Sequence, residues 1–306
     1  MSVGISVIVP TYKRPDLLKR CLNSICSQTF DHYEVVVVDN DPGCSDVAGL
    51  VGSIGDARYK YVHETTPGVS AARNKGVEKS SGNLILFVDD DDEIAADMLE
   101  KMYGFMSDKQ QTDVSFSWTG VTKLFEKNDS VTVEKKEFLV TEQDLENMSF
   151  IVKIGTGCGL CIRKKDFLEV GGFDKTYKLS EDRDLLIKLI SAGKQYRPLN
   201  EFLYRRYYHA GERLSQSLHS LEEADHDYKL YYEHLNFIMR YPVLRLRLLD
   251  LRARHYFDGG ELEKAIEIAQ HAWQIQPWRI RSLRRLISYW LKSIFVKRKL
   301  SNSDAI

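Results

Sequence analysis

Short apolar runs alternate with helix-like segments along the first third of the chain. The runs Ile5–Pro10, Glu34–Asp39 and Leu84–Asp89 predict buried strands, and Tyr59–His63 predicts a short strand among them. Strands that are apolar throughout and alternate with helices are typical of a parallel sheet covered on both faces. The spacing of apolar residues predicts the intervening helices over Pro15–Gln28, Asp46–Ile54, Gly68–Lys79 and Ile94–Ser107.

The pattern changes after Asp113. Val114–Phe125 and Val131–Val140 alternate between apolar and polar residues, which predicts antiparallel strands bordering the sheet. A helix is expected over Leu185–Ala192, opened by Ser180–Asp184, and another strand over 202–208. From about Ser217 almost everything is predicted to be helical. We therefore expect a domain at 1–215, with halves at 1–110 and 111–215, and a helical region at 216–306.

Carboxylates follow two of the predicted strands. Asp39 ends the second strand, and four consecutive aspartates, Asp89–Asp92, follow the run Leu84–Val88. In parallel sheets, ligands bind outside the carboxyl ends of the strands. A hard cation such as Mg²⁺ or Mn²⁺ would relieve the repulsion among four like charges. The alternative is a solvated acidic loop, and a metal site alone would suit phosphoryl, nucleotidyl or sugar transfer.

Composition narrows the class of protein. A hydrophobic fraction of 43% and a charged fraction of 28% exclude disordered, collagen-like and coiled-coil chains. The net charge of −1 argues against a nucleic-acid binder, although residues 1–150 carry −10 and residues 151–306 carry +9. The five cysteines, including the Cys158–Cys161 C-x-x-C pair, indicate packed free thiols in a reducing compartment.

Five blocks, in order over about residues 3–215, resemble the family 2 glycosyltransferases. They are Val9–Arg14, Val37–Asn40, Gly68–Gly76, Phe87–Asp92, and Gly171–Asp174 followed by Glu181 and Asp182. The resemblance implies the α/β GT-A fold: a mixed sheet flanked by helices, here with a helical C-terminal extension. It also implies a hexosyltransferase that uses Mn²⁺ or Mg²⁺ and inverts the configuration of the sugar, so that a β linkage forms.

The resemblance assigns a role to each candidate site residue. Asp91 and Asp89 would hold the metal, although the register Asp90 and Asp92 stays open. Asp182 would be the general base, with Glu181 and Asp184 as competing acids whose alternative role is to complement the helix dipole. The remaining candidates would bind the nucleotide, the diphosphate or the donor sugar: Thr11, Tyr12, Asp39, Arg73, Asp90, Asp92, His209, Arg213 and Ser215.

The segment Trp278–Lys299 contains eight basic residues and no acidic one, with tryptophan, leucine and isoleucine between them. This composition is typical of an amphipathic helix lying on an anionic membrane. The alternative is a helix packed on the catalytic domain with a solvated basic face. No stretch of about 18 apolar residues or targeting segment is seen, so we expect a cytoplasmic protein, peripheral at the inner face of the inner membrane.

The resemblance further suggests the substrates. We expect a UDP-sugar donor carrying glucose or galactose, and a lipid-diphosphate-linked GlcNAc acceptor of bacterial O-antigen or capsule synthesis. Two other functions stay open at this point. One is a Mg²⁺-dependent nucleotidyl- or phosphotransferase, and the other is a non-catalytic binding module.

Overall fold

The computed structural model describes residues 3–41, 43, 46–108, 113–127, 130–137, 140–208 and 220–303. The chain forms two compact units. The first comprises Met1–Thr141 and Lys153–Gly211, and the second comprises Glu142–Val152 and Glu212–Ile306. The segment Glu142–Val152 therefore leaves the first unit and returns to it.

The first half of the sheet is parallel. Strands β1 (Ile5–Thr11), β2 (Tyr33–Asp39), β3 (Tyr59–His63) and β4 (Leu84–Phe87) lie in the order β3-β2-β1-β4. Every residue of β1, β2 and β4 is buried, as apolar strands covered by helices should be. The helices between them are α1 (Pro15–Cys26), α2 (Val47–Ser53) and α3 (Val69–Lys79).

The second half of the sheet is mixed. β4 pairs with the antiparallel β8 (Cys161–Arg163), which pairs with β6 (Val114–Lys127). β6 pairs in parallel with β9 (Gln195–Tyr208) and antiparallel with β7 (Ser130–Glu137). The prediction that the first alternating strand borders the sheet is therefore wrong, because β6 lies between β8 and β9.

The helix predicted from Ile94 begins later. Glu93 and Ile94 form β5, which pairs with Tyr204 and Arg205 of β9, and the N–H of Ala95 donates to Leu203. Helix α4 then covers Met98–Ser107. Pairing with a distant strand overrides the local helical pattern here, a common outcome for short segments.

The remaining helices of the first unit are α6 (Lys164–Glu169) and α7 (Glu181–Ser191). The second unit contains α5 (Glu142–Glu146) and a 3₁₀ turn at Ser149–Val152. It continues with the helices α8 (Ser220–Glu233), α9 (Leu235–Ile238), α10 (Pro242–Asp258), α11 (Leu262–Ile275) and α12 (Ile280–Ser303).

The interior of the second unit is built from leucine and alanine. The 3₁₀ turn at Ser149–Val152 packs on α10, and α10 packs on α8 and α11. Leu244, Leu248, Ala265 and Ala269 are buried between these helices. Among the helices described, none is both long enough and apolar enough to cross a bilayer.

Candidate active site

The carboxyl ends of β1, β2 and β4 meet at one edge of the sheet. β1 ends at Thr11 and β2 at Asp39, and these two residues are partners in the parallel register. β4 is followed by Val88 and the four aspartates. The Oγ1 of Thr11 donates a hydrogen bond of 2.7 Å to Oδ2 of Asp90. The structure thus brings the end of β1 and the aspartate run together at the edge where ligands bind in open α/β sheets.

The four aspartates alternate between buried and partly exposed positions. Asp89 and Asp91 are partly exposed, with 30% and 13% of their side-chain surface open to solvent. Asp90 is buried under Thr11, and Asp92 is buried with its Oδ1 accepting from the N–H of Tyr207 at 3.0 Å. Asp89 and Asp91 are therefore the members of the run that a ligand can reach.

The buried pair resists ionisation. Burial raises the pKa of Asp90 to about 7, and the nearby charge of Asp91 adds to this shift. Burial, followed by the charges of Asp91 and Asp89, raises the pKa of Asp92 well above its usual range. Arg14 lies 3.6 Å from Asp91 and 3.8 Å from Asp90, and it opposes the shift of Asp90. Additional positive charge at this loop would relieve the remaining repulsion.

The guanidinium of Arg73 joins the aspartate run to the start of α7. Its Nη2 donates to Oδ1 of Asp89 at 2.9 Å and to Oγ1 of Thr156 at 2.7 Å. Its Nη1 donates to Oε1 of Glu181 at 2.8 Å. Arg73 is only 4% exposed, and its Nε has no hydrogen-bond partner among the described residues. The contact of Arg73 with a base or phosphate stays a prediction.

The neighbouring Asn74 fixes the loop that leads into α7. Its Nδ2 donates to the carbonyl of Phe173 at 2.7 Å, and its Oδ1 accepts from the N–H of Phe173 at 3.0 Å. Gly172 has a φ of +65°, and a Cβ there would lie 2.8 Å from the Asn74 amide oxygen. On α3, Arg73 therefore holds Glu181 at the start of α7, and Asn74 holds the glycine loop that precedes this helix.

Asp182 lies in the first turn of α7 with one carboxylate oxygen held by a hydrogen bond and the other buried beside Arg73. Its Oδ2 accepts from the N–H of Thr156 at 3.2 Å. Its Oδ1 is buried, has no hydrogen-bond partner among the described residues and lies 3.7 Å from Nη1 of Arg73. Burial, and then the charge of Glu181, raises the pKa of Asp182 to about 7. A carboxylate with a pKa near neutrality is suited to removing a proton.

The competing acids of α7 are engaged. Glu181 accepts from Arg73, as described above, and is 9% exposed. Asp184 is 3% exposed and accepts from Nζ of Lys188 at 3.0 Å. Asp182 is the acid of the three with the most exposed side chain, since 24% of it is open to solvent against 11% for Glu181 and 4% for Asp184.

The candidate base-binding residues differ in exposure. Tyr12 follows Thr11 and is 47% exposed. Asp39 is 1% exposed, and its two oxygens accept from the N–H of Asp41 at 3.0 Å and the hydroxyl of Tyr61 at 3.3 Å. A ligand that contacts Asp39 would have to replace one of these bonds. His209, Arg213 and Ser215 lie outside the described residues.

The glycine-rich segment 155–159 forms a tight turn next to Asp182, with a 3₁₀ helix over Thr156–Cys158. Cys158 and Cys161 are buried free thiols, and burial raises the pKa of both. Three residues near this site were not among the candidates taken from the sequence: Thr156, Arg14 and Arg206. Thr156 and Arg206 gave no spacing signal, because their partners lie on elements remote in sequence. Arg14 ends the block Val9–Arg14, but no role was assigned to it, since its partners Asp90 and Asp91 lie far along the chain.

The donor set at this edge suits a hard divalent cation. The described residues contain no group of three His, Cys, Asp or Glu side chains arranged around a metal position. Mg²⁺, however, commonly takes one or two protein carboxylates and completes its coordination with water and substrate phosphates. Asp89 and Asp91 offer two partly exposed carboxylates of this kind, so the residues present fit such an ion.

Comparison with known proteins places the chain in a family. Residues 6–170 match the model of glycosyl transferase family 2. An uncharacterised glycosyltransferase of Haemophilus influenzae is 26% identical over 281 residues, covering 86% of this chain and 92% of that protein.

Two solved structures share the fold. Staphylococcus aureus TarS 1–349 in complex with UDP-GlcNAc has a TM-score of 0.65 and 18% identity, covering 94% of this chain and 89% of that one. Mannosyltransferase PcManGT from Pyrobaculum calidifontis, in complex with GDP-Man and Mn²⁺, has a TM-score of 0.59 and 17% identity, covering 97% of this chain and 88% of that one. The chain therefore belongs to glycosyl transferase family 2 and is a glycosyltransferase with the GT-A fold.

Proposed function

We propose that this glycosyltransferase moves a hexose from a UDP-sugar to a saccharide hydroxyl, with inversion and with the help of a divalent cation. The observation that carries the proposal is the position of Asp182. Its Oδ1 and Oδ1 of Asp89 lie 3.7 Å and 2.9 Å from the guanidinium of Arg73. The proposed base and the proposed cation-binding loop are therefore adjacent, an arrangement that supports direct displacement at an anomeric carbon.

The donor would bind at the carboxyl ends of β1 and β2. Tyr12 is exposed and can stack on the uracil, and Asp39 can accept from its N–H once a present bond is released. Asp89 and Asp91 would hold Mn²⁺ or Mg²⁺, which neutralises the charge of the departing diphosphate. His209 and Arg213 stay candidates for contact with the diphosphate, and Asp90 and Asp92 would support the loop from beneath.

Asp182 would act on the acceptor. Its carboxylate takes the proton of the attacking hydroxyl while the new bond to the anomeric carbon forms and the bond to the diphosphate oxygen breaks. Attack from the face opposite the leaving group inverts the centre, so an α-linked donor gives a β-linked product. One base is sufficient for this step, whereas a retaining hydrolase would instead need paired carboxylates flanking the bond.

A saccharide on a lipid diphosphate is the proposed acceptor, with glucose or galactose as the donated sugar. The second unit supplies the supporting observation. Exposed apolar side chains of α12 recur at helical spacing and form one stripe: Ile280, Leu283, Ile287, Trp290 and Leu291. The opposite face is buried through Tyr289 and Ser293, and the basic Arg284 stands beside the stripe, whereas Nζ of Lys292 lies 4.0 Å from the ring centroid of Phe257. We propose that this stripe lies in the anionic inner face of the bacterial inner membrane.

The first experiment is a panel of UDP-sugars, with Mn²⁺ and a synthetic lipid-diphosphate GlcNAc acceptor, assayed for UDP release and product. We expect turnover with one hexose donor and a β anomeric configuration by NMR. Absence of both UDP binding and UDP release would overturn the proposal. Consumption of a nucleoside triphosphate with release of pyrophosphate would instead identify a nucleotidyltransferase.

Membrane binding is tested by sedimentation with vesicles. The wild-type protein should sediment with phosphatidylglycerol-containing vesicles and not with phosphatidylcholine alone. The double substitution Ile287→Ser and Trp290→Ser should abolish sedimentation, whereas Leu168→Ser, which changes an equally exposed leucine of α6, should not. Equal binding by all three proteins would rule out the α12 stripe as the contact.

A further inference from the structure

The backbone at Gly155 makes room for the carboxylate of Asp182. A Cβ at Gly155 would lie 2.3 Å from Oδ2 and 3.0 Å from the carboxyl carbon of Asp182. The φ of Gly155 is −176°, which is extended backbone that any residue adopts. The backbone conformation therefore does not require glycine at this position, but the close approach of the Asp182 carboxylate does.

Thr156 contacts Asp182 and Arg73 with two different groups. Its backbone N–H donates to Oδ2 of Asp182 at 3.2 Å, and its Oγ1 accepts from Nη2 of Arg73 at 2.7 Å. Thr156 is 2% exposed, so neither bond competes with bulk water. Thr156 thus holds both the carboxylate of Asp182 and the guanidinium of Arg73 beside it.

The turn that carries these two residues is itself anchored from three sides. The carbonyl of Cys158 accepts from Oγ1 of Thr119 at 3.2 Å, and the carbonyl of Gly157 accepts from the guanidinium of Arg206. At Gly159, whose φ is +64°, a Cβ would lie 2.3 Å from Cε of Met98. Because the turn is held by the sheet, a group added at Gly155 would displace Asp182 rather than the turn.

We propose that Gly155 and Thr156 are positioning residues that fix the carboxylate of Asp182 at the place where it meets the acceptor hydroxyl. Oδ2 is held by the turn and Oδ1 is buried 3.7 Å from Nη1 of Arg73, so the carboxylate can rotate little. The charged groups that face Asp182 are Glu181, Arg73 and Asp89. The inference rests on the proposed function, in which Asp182 is the general base.

Gly155→Ala tests the close approach. We expect kcat to fall about 100-fold, the loss that a displacement near 1 Å can cause, while the KM for the donor stays within about twofold. Gly104→Ala is the matched control, because Gly104 lies in α4 with no atom within 4 Å of the added Cβ and should leave kcat unchanged. Equal kcat values for the two variants would overturn the inference.

Variants of Thr156 test its hydrogen bond with Arg73 without adding bulk. Thr156→Val removes the acceptor for Arg73 and should lower kcat about tenfold, and Thr156→Ser should restore most of it. The pH at which kcat/KM reaches half its maximum should shift in the valine variant and return in the serine variant. A merely structural role would lower the melting temperature without moving this pH, and that result would contradict the proposal.

A double-mutant comparison separates this inference from the function on which it rests. If Gly155 acts through Asp182, then Gly155→Ala should add no further loss of rate in an Asp182→Asn background. A full additional loss would overturn the positioning role. Asp182→Asn with wild-type rate would overturn the base assignment itself, and UDP binding measured by calorimetry would show whether each variant is folded.

Discussion

Buried carboxylates near the two ends of the parallel strands have pKa values shifted in opposite directions. Glu34 lies near the amino end of β2 and is 2% exposed. It accepts from Oγ of Ser6 at 2.5 Å, from Nζ of Lys60 at 2.5 Å, and from the hydroxyl and N–H of Ser81. Burial alone would raise the pKa of Glu34, but these hydrogen bonds outweigh it and lower the pKa to about 2.

At the carboxyl end, burial has the opposite result. Asp90, Asp92 and Asp182 have raised pKa values, because they are desolvated next to other acids and receive few hydrogen bonds. A buried carboxylate therefore stabilises the fold near the amino ends of the strands, whereas near their carboxyl ends it resists ionisation. Hydrogen bonding and neighbouring charge, and not depth of burial, determine which of the two occurs. An incompletely satisfied acid is available for a cation or a proton.

The largest expected effect is at the partly exposed end of the aspartate run. Asp91→Ala should lower kcat/KM by about 10⁴-fold, since charge stabilisation by a bound cation is worth several kcal/mol. The melting temperature should stay the same or rise, because the variant loses a negative charge that repels Asp90 and Asp92. A steady-state assay and a thermal melt check the two halves of this expectation. Normal activity in this variant would remove Asp91 from the site.

Asp182→Asn should lower kcat by about 10³-fold, within the range that general-base catalysis supplies. Asparagine preserves the shape of the side chain but cannot take the acceptor proton. Donor binding should persist, because the assigned donor contacts are elsewhere. Single-turnover kinetics with saturating donor measure the loss, and isothermal calorimetry with UDP measures the retained binding.

Glu34→Gln should lower the stability of the fold and leave the catalytic reaction unchanged. We expect the free energy of unfolding to fall by about 3 kcal/mol, with the specific activity of the folded protein unchanged. Glu78→Gln, which changes an exposed carboxylate on α3, is the control and should alter neither quantity. Loss of activity without loss of stability would contradict the assignment of Glu34.

Acid titration tests the lowered pKa of Glu34 directly. The pKa of Glu34 is about 2 in the fold against an ordinary value of 4.5, so its contribution is complete above pH 4.5 and is lost as the pH falls toward 2. Urea unfolding of the wild-type protein should show this decline, and the glutamine variant should show less of it.

The smallest expected effect is the dependence of rate on pH. Asp182 must be deprotonated to act as a base, and its pKa is raised to about 7. The value of kcat/KM should therefore rise about tenfold per pH unit below 7 and level off above it. Because kcat/KM reports the pKa of the free enzyme, a flat profile from pH 5 to 9 would contradict this role.

Local sequence was enough for the parallel strands and for the acids at their ends, because each apolar run and the residue that terminates it are contiguous. The orientation of the four aspartates could not be predicted. It depends on Thr11 and on Tyr207, whose N–H belongs to a strand 115 residues further along the chain. The partners of Arg73 and the pairing of Ile94 with β9 likewise involve residues brought close only by the sheet.

The excursion of Glu142–Val152 into the second unit means that the polypeptide crosses between the units three times. Phe150 and Ile151 are fully buried there, against helix α10. A truncated protein ending before residue 212 would retain these two side chains but lose the helices that cover them. Shortened versions of this enzyme should therefore be insoluble unless Phe150 and Ile151 are also replaced, and chimaeras with relatives should exchange both segments together.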